Sequence, residues 1–407
     1  MYQNEDFLVL FAAGNDGADD VPYGVGGGGT SKNAVVVGAS QNELSFPAAD
    51  GTKKTRGNLG AQVTDSPNGL AYFSSRGPVR HDFRIKPDVV CPGQQIGSVY
   101  ANTAAQGAAC QVQDMSGTSM ATPVCAGTSA LVRQYFRQGH FGGTGFVPSG
   151  ALIKAVLMQS GTPMTYLKDI GGTLTRIPMS DVKIPNTRIG YGMVDLSTVL
   201  TFADSPASLK SHFYNSVLIT QGQNLARCFA LAGGTSPRSV KVTLVWTDPA
   251  GTAFGDAALV HDLDLVIVDP GGKFYYGNNF TTTTESFLEH PYIDVVNNNE
   301  QITIKNAAAG TYTVRVRATD VAAAAGQKYS LVVTGANVGS FTQASCTSAI
   351  VNSCPNSCSG FGTCSAGACV CVSTHYGVDC SMAVPVAQTG RIPAACDANH
   401  LAPCLHS

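Results

Sequence analysis

The sequence predicts an α/β domain built on a parallel sheet, then an all-β jelly-roll or sandwich domain, and finally a small disulfide-rich module. Three observations predict this order. Short continuous apolar runs occupy the first 40 residues, β-rich segments without helical patterns follow residue 204, and nine of the 13 cysteines lie after residue 340. We therefore divide the chain into residues 1–203, 204–340 and 346–381, with a tail at 382–407.

The first division carries the pattern of a buried parallel sheet. Residues 7–13 (FLVLFAA) and 34–39 (AVVVGA) are apolar runs bounded by Gly, Asn and Asp, which is typical of strands buried on both faces. Residues 118–137 predict a helix with Pro123 in its first turn, and residues 150–159 predict a second, apolar helix. The α/β pattern extends to about residue 200.

The second division consists of strand-like segments that are separated by turn residues. Such spacing without intervening helices predicts an antiparallel sandwich or jelly roll. The segments are VKVTLVW at 240–246, LDLVIV at 263–268, KFYYG at 273–277, EQITIK at 300–305, TYTVRVR at 311–317 and KYSLVVTG at 328–335.

Composition excludes several classes of partner. The chain is 44% hydrophobic, which fits folded domains, and only 13% charged, with a formal net charge of -2 and no run rich in Lys or Arg. There is accordingly no electrostatic basis for binding nucleic acid or an anionic membrane. No apolar run approaches the roughly 18 to 20 residues of a membrane helix, so no transmembrane segment is predicted. The expected partner is a protein or peptide.

Four short motifs follow one another in the α/β division. Ser119 begins a helix of small residues, whose N-terminus favours developing negative charge. Asn15 follows a buried strand and offers an amide donor to an oxyanion. Taken singly, Ser119 also fits an ordinary helix start, and Asn15 a turn residue before Gly17. The motifs are AAGNDG at 12–17, YFSSRGP at 72–78, KPDVVCPG at 86–93 and SGTSMATP at 116–123.

In this order the four motifs resemble the second half of the catalytic domain of subtilisin-like serine proteases, the subtilase family. The resemblance implies that Ser119 is the nucleophile and that Asn15 is the side-chain donor of the oxyanion hole, with the Ser119 N–H as the second donor. It implies a serine endopeptidase that forms an acyl-enzyme and needs no cofactor for its chemistry. Residues 151–164 and 188–196 resemble the later helix and the closing segment of the same domain.

The same resemblance implies a base that these residues do not supply. The family places its catalytic Asp and His upstream of the oxyanion Asn. The 14 residues before Asn15 contain Asp6 but no His, and His81 fits a loop residue better than a base. We therefore expect a truncated protease whose triad Asp and His lie outside the sequence, and little activity for this chain alone. The alternative is a noncatalytic secreted pseudoprotease that acts as a binding or adhesion protein.

The β-rich division resembles the C-terminal β-barrel domain of some alkaline subtilisin-like proteases, over residues 261–279 and 297–318. Such domains are implied to stabilise the protease domain or to help bind substrate, and some relatives hold calcium. Asp262 and Asp264 share one face of a strand and could suit a structural calcium ion. Two carboxylates fall short of the six or more oxygens that calcium requires, so a solvated surface is the preferred interpretation.

Six clustered cysteines resemble an EGF-like module. The resemblance implies pairs Cys354–Cys364, Cys358–Cys369 and Cys371–Cys380, although six cysteines allow fifteen pairings. A zinc cluster is the alternative, which the spacing fits poorly.

Dense cysteine indicates an oxidising compartment, so an extracellular or cell-surface location is expected even though residues 1–20 contain no signal peptide. Outside the module, Cys125 follows Ser119 on the predicted helix. We expect it to be a buried thiol that packs as a small hydrophobe.

Overall fold

A computed structural model describes most of the chain, in two compact units. One unit comprises residues 1–204 with 252–258, and the other comprises 205–251 with 259–407. The described residues are 1–18, 21–42, 45–47, 53–55, 67–100, 111–168, 176–178, 184–202, 204–252, 258–282, 285–286, 293–322, 326–346, 353–365 and 367–383.

The first unit contains a mixed sheet with two long helices. The strands of the unit are β1 (Leu10–Ala12), β2 (Val35–Ser40), β3 (Ser45–Pro47), β4 (Lys53–Thr55), β5 (Gly69–Leu70), β6 (Val89–Pro92), β7 (Ile96–Tyr100), β8 (Gln111–Met115), β9 (Gly161–Thr162), β10 (Tyr166–Lys168), β11 (Arg176–Pro178) and β12 (Met193–Val194). Strands β3 and β4 form a separate hairpin sheet, and so do β7 and β8. The helices are α1 (Thr118–Arg137) and α2 (Gly150–Gln159), with short 3-10 turns at Gly27–Thr30 and Leu196–Thr198.

The centre of this sheet is parallel, as the apolar runs predict. Strand β2 lies between β1 and β6 and is parallel to both, and β6 is parallel to β12. Every residue of β2 is buried. Because β2 has neighbours on both edges and is covered on both faces, its six positions are apolar or small throughout instead of alternating with polar residues.

Both predicted helices have the predicted bounds. All ten residues of α2 are buried, and the Ser149 hydroxyl caps the helix by accepting the Leu152 N–H at 3.0 Å. Pro123 lies inside α1 and not in its first turn, which corrects the prediction. A proline there has no N–H for the carbonyl of Ser119, four residues earlier.

The second unit is built on one antiparallel sheet in the order β13, β21, β14, β20, β15, β16, with β19 paired to β14. All six predicted segments lie in its strands. The strands are β13 (Lys210–Ile219), β14 (Asn224–Trp246), β15 (Asp262–Val268), β16 (Phe274–Tyr276), β17 (Phe280–Thr282), β18 (Glu285–Ser286), β19 (Asn299–Lys305), β20 (Gly310–Asp320) and β21 (Gln327–Ala344), of which β17 and β18 form a separate two-stranded sheet. Asp262 and Asp264 on β15 are buried, which overturns the expectation that they lie on a solvated surface. A small C-terminal region follows with β22 (Gly362–Ser365), β23 (Ala368–Cys371), β24 (His375–Tyr376), β25 (Met382–Ala383) and a 3-10 turn at Pro355–Gly360.

The small C-terminal region is cross-linked by three disulfides. These are Cys354–Cys364, Cys358–Cys369 and Cys371–Cys380, the pairs that the resemblance implied. Because these sulfurs are bonded to one another, the zinc-cluster alternative is wrong. A fourth disulfide, Cys228–Cys346, joins β14 to the residues after β21.

Two cysteines of the first unit are reduced and buried. Cys125 on α1 is fully buried, as predicted, and so is Cys91 at the end of β6. The remaining three, Cys110, Cys396 and Cys404, lie outside the described residues. Neither α1 nor α2, the long helices of the described chain, is a candidate for spanning a membrane.

Candidate active site

Ser119 is the second residue of α1 and is exposed, whereas Thr118 before it is fully buried. The turn that starts the helix is held by the end of β6, because the Gly117 N–H donates to the Gly93 carbonyl at 2.9 Å. A Cβ at Gly93 would lie 2.7 Å from the Ala39 Cβ and 2.8 Å from the Gly117 carbonyl oxygen. Glycine at the end of the KPDVVCPG motif therefore permits the close approach that positions Ser119.

Asn15 is bound to the residue before the serine. Its side-chain oxygen accepts the Thr118 N–H at 2.9 Å and the Thr118 hydroxyl at 3.0 Å. A backbone N–H can only donate, so the atom that faces it is the amide oxygen, and the amide nitrogen must point the other way. A Cβ at Gly117 would lie 3.4 Å from that nitrogen. The Asn15 NH₂ group is thus presented beside the start of α1.

The turn that carries Asn15 is clamped to the YFSSRGP segment. The Ser75 hydroxyl accepts the Asp16 N–H, and the Ser75 N–H donates to the Gly14 carbonyl, both at 3.0 Å. Gly14 has φ +105°, and a Cβ there would lie 2.7 Å from the Ser75 oxygen. Both the backbone conformation and the contact require glycine at this position. The Asn15 backbone is therefore fixed from two sides.

The Ser119 hydroxyl and N–H make no hydrogen bond with any residue that the structure describes. The N–H belongs to the first helical turn, where donors have no intrahelical acceptor and the helix dipole favours negative charge. His81 is exposed in a turn, and His140 contacts the Gln138 side chain at 2.9 Å. The Ser119 N–H therefore has no described acceptor, and no described histidine is in contact with the Ser119 hydroxyl.

A buried ionic cluster is formed by Asp88, Lys86 and Lys154. The Asp88 carboxylate contacts the Lys86 ammonium at 2.6 Å and the Lys154 ammonium at 3.0 Å, and it accepts the Val36 N–H at 2.7 Å. All three side chains are at most 2% exposed. Asp88 therefore ties the start of β6 to both β2 and α2.

The pKa values of Asp88 and Lys86 are both lowered, but for different reasons. Burial alone raises the pKa of Asp88, but the Lys154 and Lys86 ammoniums and the Val36 N–H together lower it below its usual range. Burial lowers the pKa of Lys86 to about 7, against the raising effect of Asp88. The carboxylate therefore stays ionised, and Lys86 is the group that releases a proton near neutrality.

The predicted site residues Ser119 and Asn15 are brought together by Thr118, whose role the sequence reasoning missed. Ser75 and Gly14 were missed as well. Thr118 and Ser75 each lie inside a motif that was identified, so the motifs themselves were the available signal. Their contacts could not be predicted because Thr118 and Asn15 are 103 residues apart in the chain.

Comparison with known proteins finds similarity to serine proteases. The family model described as the subtilase family matches residues 1–192. The serine protease/ABC transporter B family protein tagA of Dictyostelium discoideum is 31% identical over 290 residues, which cover 65% of this chain and 15% of that protein. The serine protease AprX of Bacillus subtilis is 33% identical over 134 residues, which cover 31% of this chain and 26% of that protein.

The tagA match covers most of this chain but only a small part of tagA. The matched part of this chain is longer for tagA than the 192 residues of the family match, so that similarity continues into the β-rich unit. The chain spans about 15% of the length of the Dictyostelium relatives that it matches. Through residues 1–192, this chain belongs to the subtilase family of serine proteases.

Proposed function

We propose that this chain provides the nucleophile and the oxyanion hole of a secreted serine endopeptidase that cleaves proteins or peptides. Ser119 would attack the scissile carbonyl to form an acyl-enzyme, and the Asn15 NH₂ group and the Ser119 N–H would stabilise the negative oxygen of the tetrahedral intermediate. The observation that carries this proposal is the orientation of the Asn15 amide, whose oxygen is occupied by Thr118.

The proposal includes a base from outside this sequence. A serine hydroxyl attacks at neutral pH only when a base removes its proton, and in this family that base is a histidine oriented by an aspartate. Ser119 has no such partner among the described residues. We therefore expect little hydrolysis by residues 1–407 alone.

The remaining divisions are proposed to be accessory. We assign residues 204–340 to a jelly-roll or sandwich domain, 346–381 to an EGF-like module and 382–407 to a tail. The three disulfides, of which Cys354–Cys364 and Cys358–Cys369 interleave and Cys371–Cys380 follows, support the EGF-like assignment. Four disulfides in the described chain are compatible with an extracellular location, which we propose for the protein.

The test begins with 5′ sequencing of the transcript, followed by expression of the chain together with any coding sequence found upstream of Met1. We expect that extended protein to contain an Asp and a His motif, to hydrolyse casein, and to be labelled by a fluorophosphonate at Ser119. Residues 1–407 alone should show neither activity nor labelling. If a stop codon precedes Met1 directly, the catalytic proposal fails, and the noncatalytic binding or adhesion protein takes its place.

In the extended protein, Asn15→Asp should lower kcat roughly a hundred- to thousandfold with little change in KM, the usual cost of losing one oxyanion donor. The carboxylate can still accept both hydrogen bonds from Thr118, so the thermal midpoint should stay close to that of the wild type. Steady-state kinetics and thermal unfolding measure the two effects. The matched control is Asn4→Asp, the same change at an exposed position. A rise in KM at constant kcat would mean that Asn15 binds substrate and not the oxyanion.

A further inference from the structure

Two buried thiols lie in contact with each other in the first unit, and we call them the thiol pair: Cys91 on β6 and Cys125 on α1. Cys91 is 1% exposed and Cys125 is 0% exposed. The two thiol groups share a hydrogen bond although they belong to different elements of the chain. Their sulfur atoms are therefore direct neighbours in the interior of the unit.

The packing of α1 against β6 explains why these sulfurs meet. A Cβ at Gly93, two residues after Cys91, would lie 2.9 Å from the Ala121 Cβ. Cys91 and Gly93 share a face because an extended segment repeats every two residues, and Ala121 and Cys125 share a face because helix positions four apart are neighbours. Two residues of strand and four residues of helix each span about 6 to 7 Å. Cys91 and Cys125 therefore oppose each other one step along the contact that Gly93 and Ala121 make.

The thiol pair connects the two elements that position Ser119. The Gly93 carbonyl, shortly after Cys91, accepts the N–H of Gly117 at the start of α1. Cys125 lies further along the helix that carries Ser119. A covalent bond between the two sulfurs would thus hold β6 and α1 together where the hydrogen bond from Gly117 already fixes the turn before Ser119.

The described cysteines differ between the units in their oxidation state. Those of the second unit form four disulfides, whereas the thiol pair of the first unit is reduced. Disulfides form and persist in oxidising compartments, with which the four bonds are compatible. In such a compartment the thiol pair can react further, because the contact already brings its two sulfurs together.

We propose that a disulfide joins Cys91 to Cys125 when the protein folds in an oxidising compartment. The oxidant is a small-molecule disulfide such as oxidised glutathione. One cysteine thiolate attacks it and releases a first glutathione thiol, and the other cysteine thiolate attacks the resulting mixed disulfide and releases the second. The cysteines give up two electrons and two protons, and the oxidant leaves as two thiols. The product ties β6 to the helix that carries the nucleophile.

The surroundings of the thiol pair place this reaction during folding. The hydrogen bond with Cys125 and burial raise the pKa of the Cys91 thiol well above its usual range. Because the thiolate is the reactive form, exchange is slow once the pair is buried. The bond therefore forms while the chain folds, and burial then shields it from extracellular reductants.

The first test maps the bond in the full chain. The protein is folded in a glutathione buffer, its free thiols are blocked with iodoacetamide in denaturant, and it is digested without reduction. Chymotryptic cleavage after Tyr100 and Asp-specific cleavage before Asp114 place Cys91, Cys110 and Cys125 on separate peptides. We expect the Cys91 and Cys125 peptides as one species, two hydrogen atoms lighter than their sum, which dithiothreitol separates.

The second test measures the effect of the bond on the fold. The thermal midpoint is compared between protein folded in glutathione and protein kept in dithiothreitol, for the wild type, Cys91→Ala and Cys125→Ala. The difference should be larger in the wild type by about 5 °C or more, because a cross-link restricts the unfolded chain. The disulfides of the second unit contribute equally to all three proteins. Val132→Ala trims a buried side chain of the same helix but keeps both thiols, so it should show the wild-type difference.

Three outcomes would overturn the proposal. The first is recovery of Cys91 and Cys125 as separate alkylated peptides, because the pair would then stay reduced in an oxidising buffer. The second is a bond from either residue to Cys110 or to any other cysteine. The third is a midpoint difference that is equal in the wild type and in both cysteine variants. Neither test measures proteolysis, so a failure here is distinguishable from a failure of the proposed catalytic function.

Discussion

Replacing Ser119 with alanine in the extended protein is expected to lower kcat on the order of a millionfold, the loss known for removing the nucleophile from subtilisin. Alanine removes only the hydroxyl, so no acyl-enzyme can form, while the Asn15 NH₂ group and the backbone N–H at position 119 remain. KM should change little. Because Ser119 is exposed and its hydroxyl contacts no described residue, the thermal midpoint should not fall.

Hydrolysis of a fluorogenic peptide and labelling by a fluorophosphonate measure this effect. The matched control is Ser98→Ala, at an exposed serine on β7 whose hydroxyl makes no hydrogen bond in the described structure. We expect full activity and normal labelling from that variant. If Ser119→Ala kept more than about a thousandth of the wild-type activity, another residue would have to be the nucleophile, because loss of the nucleophile lowers kcat on the order of a millionfold and leaves only the oxyanion hole and substrate binding.

Replacing Asp88 with asparagine is expected to lower the free energy of unfolding by about 3 to 5 kcal/mol, the usual cost of removing one partner from a buried ion pair. The change is nearly isosteric, so no cavity accounts for the loss. Lys86 and Lys154 would then be buried without a counter-ion, although both still contact the Ala34 carbonyl, at 3.3 and 3.2 Å. Urea unfolding of the full chain measures the loss. Asp204→Asn, at an exposed site, should fall within about 0.5 kcal/mol of the wild type.

The pH dependence of the same experiment has a defined sign. The folded pKa of Asp88 lies below its ordinary value of about 4, so the unfolded chain takes up this proton first as the pH falls. The stabilisation by Asp88 is complete above about pH 4 and is lost as the pH drops through the folded pKa. The acid side of the stability curve should therefore be shallower for Asp88→Asn. An equally steep curve would place the acid sensitivity in other carboxylates.

Lys86 affects the pH dependence of stability on the alkaline side. Its folded pKa of about 7 lies below the ordinary lysine value of about 10.4, so between these pH values the unfolded chain holds more protons. The contribution of Lys86 to stability therefore rises with pH across this window. Lys86→Met should remove this rise. The measurement is the free energy of unfolding of the wild type and of the variant from about pH 7 to about pH 10.

The local sequence pattern was sufficient to predict much of the secondary structure. The helices at Thr118–Arg137 and Gly150–Gln159 have the predicted bounds, because runs of small and apolar residues with capping signals specify a helix locally. In the large antiparallel sheet of the second unit, two strand segments were missed, β13 and the first half of β14. Most residues of these segments are partly buried and do not alternate between buried and exposed positions. Their sequence accordingly shows no clear two-residue period of apolar residues.

Four motifs in one order were enough to identify the family from the sequence. The sequence also predicted the two long helices and the β-rich second half, and the resemblance implied the pairing of six cysteines. Tertiary structure alone decided that Thr118 fixes the Asn15 amide, that Asp88 joins two lysines and that Asp262 is buried and not solvated. The physical reason is the same in each case. Helix and strand periods record which residues share a face, whereas burial and hydrogen bonding depend on which distant segment covers that face.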